Sequence, residues 1–199
     1  MHKLTLTIAA LVACLVTGCT STKTATAKVH YKPKGQGALS SVKPRSVMIQ
    51  VNDQRPAGEQ DCVSKTRLSS IDPTFVFVTT EPATDIVGDA LKKELEVNGH
   101  HVVSGADAKP DANITIGLKR FFGTLTGRHK VAEIDAEILV ARENGQPPPA
   151  PFPISGNFKK TYNAIFAVLS ADPSEELSAA LADFIHNLTL DPRFLEALQ

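Results

Sequence analysis

Three stretches in the second half of the chain alternate between apolar and polar side chains. This period of two is typical of a strand that buries one face and exposes the other to water, as in antiparallel sheets. The apolar positions are Ile114, Ile116, Leu118 and Phe122, then Ile134, Ala136, Ile138 and Val140, then Phe152, Ile154, Phe158 and Tyr162. Between the second and third stretches, Asn144-Gly145 is a typical hairpin-turn pair. The pattern predicts an antiparallel meander.

Two other segments repeat their apolar residues with the period of an α-helix. One runs from Pro82 to Asn98 and is followed by Gly99, a residue suited to the left-handed conformation that ends helices. The other begins at Asp172-Pro173, which combines a capping side chain with a proline at the first helical position. Its apolar stripe consists of Leu177, Leu181, Phe184, Ile185 and Leu188. Both segments predict amphipathic helices that bury one face.

Shorter apolar runs add further strands to this pattern. Residues 46–52, 75–78 and 100–103 are rich in β-branched and other apolar side chains, whereas residues 57–72 are polar and predict a loop. The elements together predict an α+β fold, a two-layer sandwich in which a mixed, mainly antiparallel sheet with a β-meander packs against two amphipathic helices. Residues 46–199 are enough for one stable core, so we expect a single domain there.

The first residues have the layout of an export signal. Lys3 is followed by an apolar-to-neutral run over residues 4–16, which is well short of the roughly 20 residues of a membrane-spanning helix. The run ends in Val16-Thr17-Gly18-Cys19, which resembles the lipobox of bacterial lipoproteins. The resemblance implies a signal peptide over residues 1–18 that is cleaved after Gly18. The alternatives are an ordinary signal peptide with a chance cysteine, or an apolar core segment.

The lipobox also implies the chemistry of the anchor. Cys19 would carry a thioether-linked diacylglycerol and an amide-linked acyl chain such as palmitate. Each buried methylene contributes about 0.8 kcal/mol, so two or three chains hold a protein on a membrane almost permanently. Thr20 follows the cysteine, and by analogy with the sorting rule of enterobacterial lipoproteins the lack of Asp there favours the outer membrane. We expect a lipid-anchored outer-membrane protein whose domain faces the periplasm.

The net charge of zero conceals two oppositely charged parts. Residues 20–45 carry six cations and no acid, whereas residues 46–199 carry 14 basic and 21 acidic side chains. The basic part is rich in Thr, Ser, Ala and Lys without apolar periodicity, so we expect residues 19–45 to form a lipidated cysteine followed by a flexible tether. The tether either lies on anionic lipid headgroups or is a solvated spacer. Nucleic acid is not an expected partner, since the basic stretch is short and anchored.

Candidate catalytic residues are few. Asp53, Arg55 and Asp61 could form a polar cluster in the loop after the first strand, where the alternatives are turn capping and catalysis. Removal of Cys14 and lipidation of Cys19 would leave Cys62 as one thiol, which could be structural, could pair with another chain or could act as a nucleophile.

Other polar groups point to no catalytic, cofactor or metal site. His100 and His101 are adjacent, so in a strand they face opposite ways and cannot bind one metal together. The strand face with Glu133, Asp135 and Glu137 is interpreted as solvated. Gly35-Gln36-Gly37 lacks the strand–helix context of a nucleotide site. The run Pro147–Pro151 is either a stiff hairpin loop or a polyproline II ligand.

These features together resemble the YajG-like bacterial lipoproteins. The resemblance rests on the lipobox, the strand running into Asp53-Gln54-Arg55, the helix closed by Gly99, the Asn-Gly hairpin, and the ending Phe194-Leu195-Glu196-Ala197-Leu198. The proline-rich run and the acid-free tether depart from it. Membership would imply an envelope lipoprotein and would transfer no catalytic residue, cofactor or substrate.

The sequence therefore predicts a non-enzymatic, membrane-anchored lipoprotein that presents an α+β domain to an envelope partner. A second hypothesis is a periplasmic binding module for a lipid, peptidoglycan or another small envelope ligand, which requires a pocket between helices and sheet. A third is a periplasmic hydrolase that uses Cys62 or Asp53.

Overall fold

The fold is seen in a computed structural model that describes residues 22–35, 37–67, 73–105, 108–126, 128–142, 150–162 and 172–199. Its strands are β1 (Thr22–Ala27), β2 (Ser46–Asp53), β3 (Ser64–Thr66), β4 (Thr74–Thr79), β5 (His101–Val102), β6 (Ala112–Thr126), β7 (His129–Arg142) and β8 (Phe152–Thr161). Its helices are α1 (Ala57–Gln60), α2 (Ala83–Val97), α3 (Ser174–Leu190) and α4 (Pro192–Leu198), with a 3-10 turn at Ala38–Ser41. The predicted α+β class and the mixed sheet are confirmed.

Strand β6 organises the sheet. One of its edges pairs antiparallel with β7 over nearly its whole length, and β7 pairs antiparallel with β8, which confirms the predicted meander. The other edge of β6 pairs first with β2 and then, at Gly123, with β3, both in the parallel direction. The sheet therefore forks on this side: β5 lies outside β2, while β4 and then β1 lie outside β3.

A β-bulge at the fork changes which aromatic side chain of β6 is buried. The register with β7 shifts between Leu118 and Arg120, so Lys119 is the extra residue. Each bulge residue reverses the inward and outward positions that follow it. Phe121 is therefore fully buried, whereas Phe122, predicted to lie on the core face, is half-buried with the Arg120 guanidinium 6.0 Å from its ring centre. The prediction assumed that inward and outward side chains alternate without interruption along this strand, which is wrong beyond Leu118.

The two long helices form the second layer. Helix α3 packs on β8 and β7, α2 packs on β2, and the two helices contact each other, so that one continuous core lies between the layers. Helix α3 approaches β8 closely at Gly156, where a Cβ would clash with the Ala180 carbonyl oxygen and the Phe184 backbone. Glycine at this position lets the helix backbone touch the sheet.

The segment before β2 is part of the domain. Strand β1 pairs parallel with β4, and residues 28–35 and 37–45, which we call the strap, then cross the helical layer. Backbone N–H groups of the strap donate to the Ser174 and Ser178 hydroxyls of α3, at 2.8 and 3.0 Å. The Tyr31 hydroxyl donates to the Glu94 carboxylate of α2 at 2.6 Å.

These contacts correct the expected flexible tether over residues 19–45, and the domain boundary at residue 46, for the chain from Thr22 onward. Buried Ala27, Leu39 and Val42 attach the segment to the core, although their spacing follows neither the strand nor the helix period. Their partners lie on distant elements, so local periodicity could not reveal the packing.

Smaller differences concern element ends. Residues 57–72 were predicted as loop but contain α1 and β3, which are only four and three residues long. Helix α3 starts at Ser174, one residue later than predicted, with the Asp172 carboxylate accepting from its backbone N–H at 2.9 Å. The segment with Val16, Thr17, Gly18 and Cys19, the Asn144-Gly145 turn and residues 147–149 lie outside the described residues. Within the described ranges, no helix has the length and apolar character needed to cross a bilayer.

Replacing Gly156 with Ala is expected to destabilise the domain by about 3 kcal/mol, because overpacking at a backbone contact forces the helix away from the sheet. The measurement is urea unfolding of the full chain. Gly58→Ala in α1 is the control, since a Cβ there meets no atom within 4 Å and should change stability by less than about 1 kcal/mol. Equal effects of the two substitutions would contradict the close contact.

Candidate functional site

Of the three residues predicted to form a polar cluster, Asp53 and Arg55 come together and organise the loop at the fork of the sheet. Asp61 is exposed in the same loop. The Arg55 guanidinium donates to both carboxylate oxygens of Asp53, at 2.9 and 2.7 Å. It also donates to the backbone carbonyls of Glu59 and Gln60, at 2.9 and 3.1 Å. The Arg55 side chain is 4% exposed, so these partners replace its water. The cluster closes the loop around α1.

The chemistry of this loop is that of a structural cluster. Hydrogen bonds from Arg55 hold the pKa of the Asp53 carboxyl below its usual range, which makes Asp53 a weak base. Burial raises the pKa of the Cys62 thiol, whose sulfur lies 3.7 Å from the Gly58 carbonyl oxygen. The charged groups that act on the thiol are those of Lys65, Glu59, Arg55 and Asp61. A thiol with a raised pKa is a poor nucleophile at neutral pH.

The remaining predicted polar groups are separated from one another. His100 is buried and its Nδ1 accepts from the Arg45 backbone N–H at 3.2 Å, and burial lowers its pKa, whereas His101 is exposed. On the open sheet face, Glu133 pairs with Arg120 at 2.8 Å and Glu137 pairs with Lys119. Among the residues that the structure describes, no three His, Cys, Asp or Glu side chains converge as metal ligands would.

Sequence reasoning missed a buried ion pair beneath the start of α3. The Lys130 ammonium on β7 lies 3.4 Å from the Glu176 carboxylate on α3, and the two side chains are only 5% and 1% exposed. Lys130 also donates to the Asp172 carbonyl at 2.7 Å, and the Tyr162 hydroxyl donates to Glu176 at 2.6 Å. The signal was available: Lys130 occupies the same inward parity as Ala132 and Ile134.

This ion pair joins elements rather than binding a ligand. Burial and the bond to Glu176 raise the pKa of Tyr162, so the phenol stays protonated and keeps donating. The cavity beside the pair, bounded by Ser64, Leu125 and Pro173 among others, has a volume of about 10 Å³. That space does not admit a substrate, and the pair serves to fix α3 on the sheet.

Two larger concavities are open to solvent. One, of about 440 Å³, lies where Arg45 and Arg142 donate to backbone oxygens at the end of α4, so its arginines are already engaged. The other, of about 530 Å³, lies between α2 and the outer edge of β2. We call the second one the edge groove. Its lining residues are Ile49, Val51, Glu81, Thr84, Asp85, Gly88, Asp89, Lys92, Val102, Val103 and Ser104.

The edge groove is the candidate binding site of the described part of the chain. Its floor is apolar, formed by half-buried Ile49 and Val51, and its wall carries exposed carboxylates of Asp85 and Asp89. It combines open apolar surface with carboxylates that form no salt bridge among the described residues, which the arginine concavity and the closed clusters at Arg55 and Lys130 do not. Such a surface can bind a partner.

Comparison with known proteins gives a fold relationship. No protein-family model matches the chain, and no curated protein sequence matches it. A solved Xanthomonas campestris protein of the family DUF330 is 15% identical, with a TM-score of 0.56, over 84% of this chain and 95% of that one. At this identity the similarity establishes a shared fold only.

Two solved lipoproteins are more distantly similar. A minor lipoprotein from Acinetobacter baumannii is 13% identical over 74% of this chain and 90% of that one, with a TM-score of 0.43. A lipoprotein from Neisseria meningitidis is 10% identical over 64% and 93%, with a TM-score of 0.38.

Lys130→Met alone is expected to cost about 3–5 kcal/mol of unfolding free energy, because it leaves the Glu176 carboxylate buried without its cation. The double variant Lys130→Met/Glu176→Leu should recover most of that loss, since it removes both charges and retains apolar volume. Urea unfolding of the two variants measures the difference. A double variant that is less stable than Lys130→Met would contradict the assignment as a buried pair.

The Asp53→Asn variant is expected to lose stability in a pH-dependent manner. Because Arg55 lowers the folded-state pKa of Asp53, its carboxylate stabilises the fold above the unfolded-state pKa of about 3.9 and loses that effect as the pH falls through the folded-state value. The deficit of Asp53→Asn relative to wild type should therefore be full at pH 7 and shrink below about pH 4. Chemical unfolding across this range tests it, with Asp61→Asn in the same loop as control.

Proposed function

We propose that the protein is a non-enzymatic lipoprotein of the bacterial envelope, anchored through Cys19, that holds its α+β domain close to the membrane for a periplasmic partner. The lipobox Val16-Thr17-Gly18-Cys19 supports the anchor, and Thr20 supports the outer membrane as its location. The shared fold with the Xanthomonas protein is compatible with this role and does not specify it.

The start of β1 is the observation that carries the proposal. Thr22 is already paired with Thr74 of β4, and it follows Cys19 by only three residues. Three residues span at most about 11 Å, so a lipid on Cys19 would place this end of the sheet at the headgroups. A lipoprotein with a long tether could act far from the bilayer, whereas this domain would act beside it.

The charges at the same end of the fold favour contact with anionic headgroups. The strand registers place Lys23 beside Phe75, Phe75 beside Thr66, and Lys130 beside Lys160 in the same part of the sheet. The exposed cations at this end are Lys23, Lys65, Arg67, Arg128 and Lys159, whereas Lys160 is half-buried and paired with Glu175. Each cation near an anionic surface contributes up to about 1 kcal/mol.

Two acids described at this end are already engaged. The Asp172 carboxylate accepts from Ser174, and the Glu175 carboxylate accepts from Lys160 at 2.9 Å. An anionic membrane that contacts this end of the domain would therefore meet mainly positive charge. The contact would orient the domain as well as retain it.

In the part of the chain that the structure describes, the interior gives little support to the second hypothesis, a binding module for a lipid or another small ligand. The cavity under the strap, between Tyr31, Glu94 and Ile185, has a volume of about 30 Å³, which is the room of one water molecule. Helices and sheet are packed together elsewhere around Gly156. A lipid tail needs a much larger enclosed space.

Cys19→Ser is expected to abolish lipidation and to move the protein from the membrane fraction to the soluble periplasmic fraction. The first measurement is the intact mass of the purified wild-type protein, which should exceed the mass of residues 19–199 by the diacylglyceryl and acyl groups. The second is fractionation of outer and inner membranes. Cys62→Ser is the matched control and should change neither result. An unmodified mass for the wild-type chain would overturn the proposed anchor.

A further inference from the structure

The outer edge of β2 exposes backbone hydrogen-bonding groups. The Ser46 carbonyl accepts from the Asp111 backbone N–H, and the Gln54 N–H donates to the Leu118 carbonyl. The backbone N–H and C=O groups of the even-numbered residues of β2 therefore point toward β6. The carbonyls of Arg45 and Val47 accept instead from His101 and Val103 on the β5 side. Because successive residues of a strand alternate in this direction, Ile49 and Val51 point their N–H and C=O groups away from β6.

Strand β5 ends too early to pair with these groups. Its register with β2 covers Ser46 and Val47 only. In the described ranges of the chain, no other strand pairs with Ile49 or Val51 on that side. Neither position carries the proline or lysine that commonly blocks an exposed sheet edge. The path that β5 would follow if it continued toward Asp53 holds no described strand, and it runs along the edge groove.

The edge groove can also receive the side chains of an added strand. Ile49 and Val51 turn their side chains toward the helical layer, where Val51 lies close to Gly88 of α2: a Cβ on Gly88 would be 3.4 Å from the Val51 methyl. The lack of a side chain at Gly88 leaves the floor accessible. A neighbouring strand would send every second side chain into this space of about 530 Å³.

The wall of the groove selects for positive charge. Glu81 precedes α2, Asp85 and Asp89 lie in its first half, and these three exposed acids are spaced four residues apart. No salt bridge joins them to a cation among the described residues, and the one cation of the groove, Lys92, lies 4.0 Å from Glu96. Lysine or arginine side chains could lay their apolar stems on Val51 and Val102 and reach these carboxylates.

We propose that the edge groove binds an extended, basic segment of a partner protein, which adds to the sheet as a strand beside β2. Backbone hydrogen bonds to Ile49 and Val51 supply the pairing, and the carboxylates of Asp85 and Asp89 select alternating cations. A second copy of this chain is disfavoured as the occupant, since pairing β2 with β2 would bring two acidic walls together. The inference rests on the proposed accessory function and specifies the chemistry of its partner.

The test measures binding of a fluorescein-labelled nine-residue peptide of alternating lysine and valine to the purified full-length mature protein in non-ionic detergent, by fluorescence anisotropy at low salt. We expect saturable binding that the double variant Asp85→Lys/Asp89→Lys weakens about tenfold or more. Asp61→Lys/Glu196→Lys is the matched control, because it makes the same change of net charge at two exposed acids outside the groove that form no salt bridge among the described residues, and it should change the affinity less than twofold.

A second peptide set distinguishes strand addition from simple charge attraction. Two peptides of the same charge are N-methylated at alternate residues, one at the odd and one at the even positions. One of the two should bind at least tenfold more weakly than the other, because a methylated nitrogen that faces β2 cannot donate to it. Amide hydrogen exchange at Ile49 and Val51 should slow in the complex. Equal binding of both methylated peptides, or of an alternating glutamate–valine peptide, would overturn the proposal.

Two further outcomes are distinguishable. Sedimentation that shows dimers of the protein, abolished by Val51→Pro, would identify a second copy as the occupant and overturn the proposal of a basic partner segment. The peptide measurement does not depend on lipidation, because a chain without lipid on Cys19 can be tested in the same way. Failure of the anchor and failure of the groove are therefore separate results.

Discussion

The β-bulge at Lys119 determines how the rest of the sheet is arranged. It bends β6 between the part that pairs with β2 and the part that pairs with β3, so two strands share one edge of a single long strand. Two consequences follow at the fork. The chain between β2 and β3 must be closed by a compact loop, which the Arg55 hydrogen bonds hold together. Among the described strands, β5 alone covers the outer edge of β2, and it does so only at the start of β2.

The buried polar groups serve this architecture. Arg55 closes the fork, Lys130 and Glu176 fix the start of α3, and the Tyr31–Glu94 bond fastens the strap to α2. Burial raises the pKa of Tyr31, with the neighbouring Glu94 carboxylate acting in the same direction, so the phenol remains a donor. Each group is enclosed by its partners, and the hydrogen bonds between them join separate elements of the fold.

The accessible chemistry lies at separate places on the surface. The end of the sheet that contains Thr22 is rich in cations and is three residues from the proposed lipid on Cys19. The edge groove begins near Glu81, beyond the opposite end of β4, and is acidic. An anionic membrane would attract the first surface and repel the second. A domain held close to the bilayer would in this way keep its peptide-binding edge directed toward the periplasm.

The sequence by itself determined the meander, the two amphipathic helices and the α+β class, because alternation and helical periodicity record which face of an element is buried. It also identified the contact between Asp53 and Arg55, which are two residues apart. Only the tertiary structure decided the packing of residues 22–45, the burial of Phe121 in place of Phe122, the ion pair of Lys130 with Glu176, and the open edge of β2. All of these depend on partners far away in the chain or on one inserted residue, and local periodicity carries no information about either.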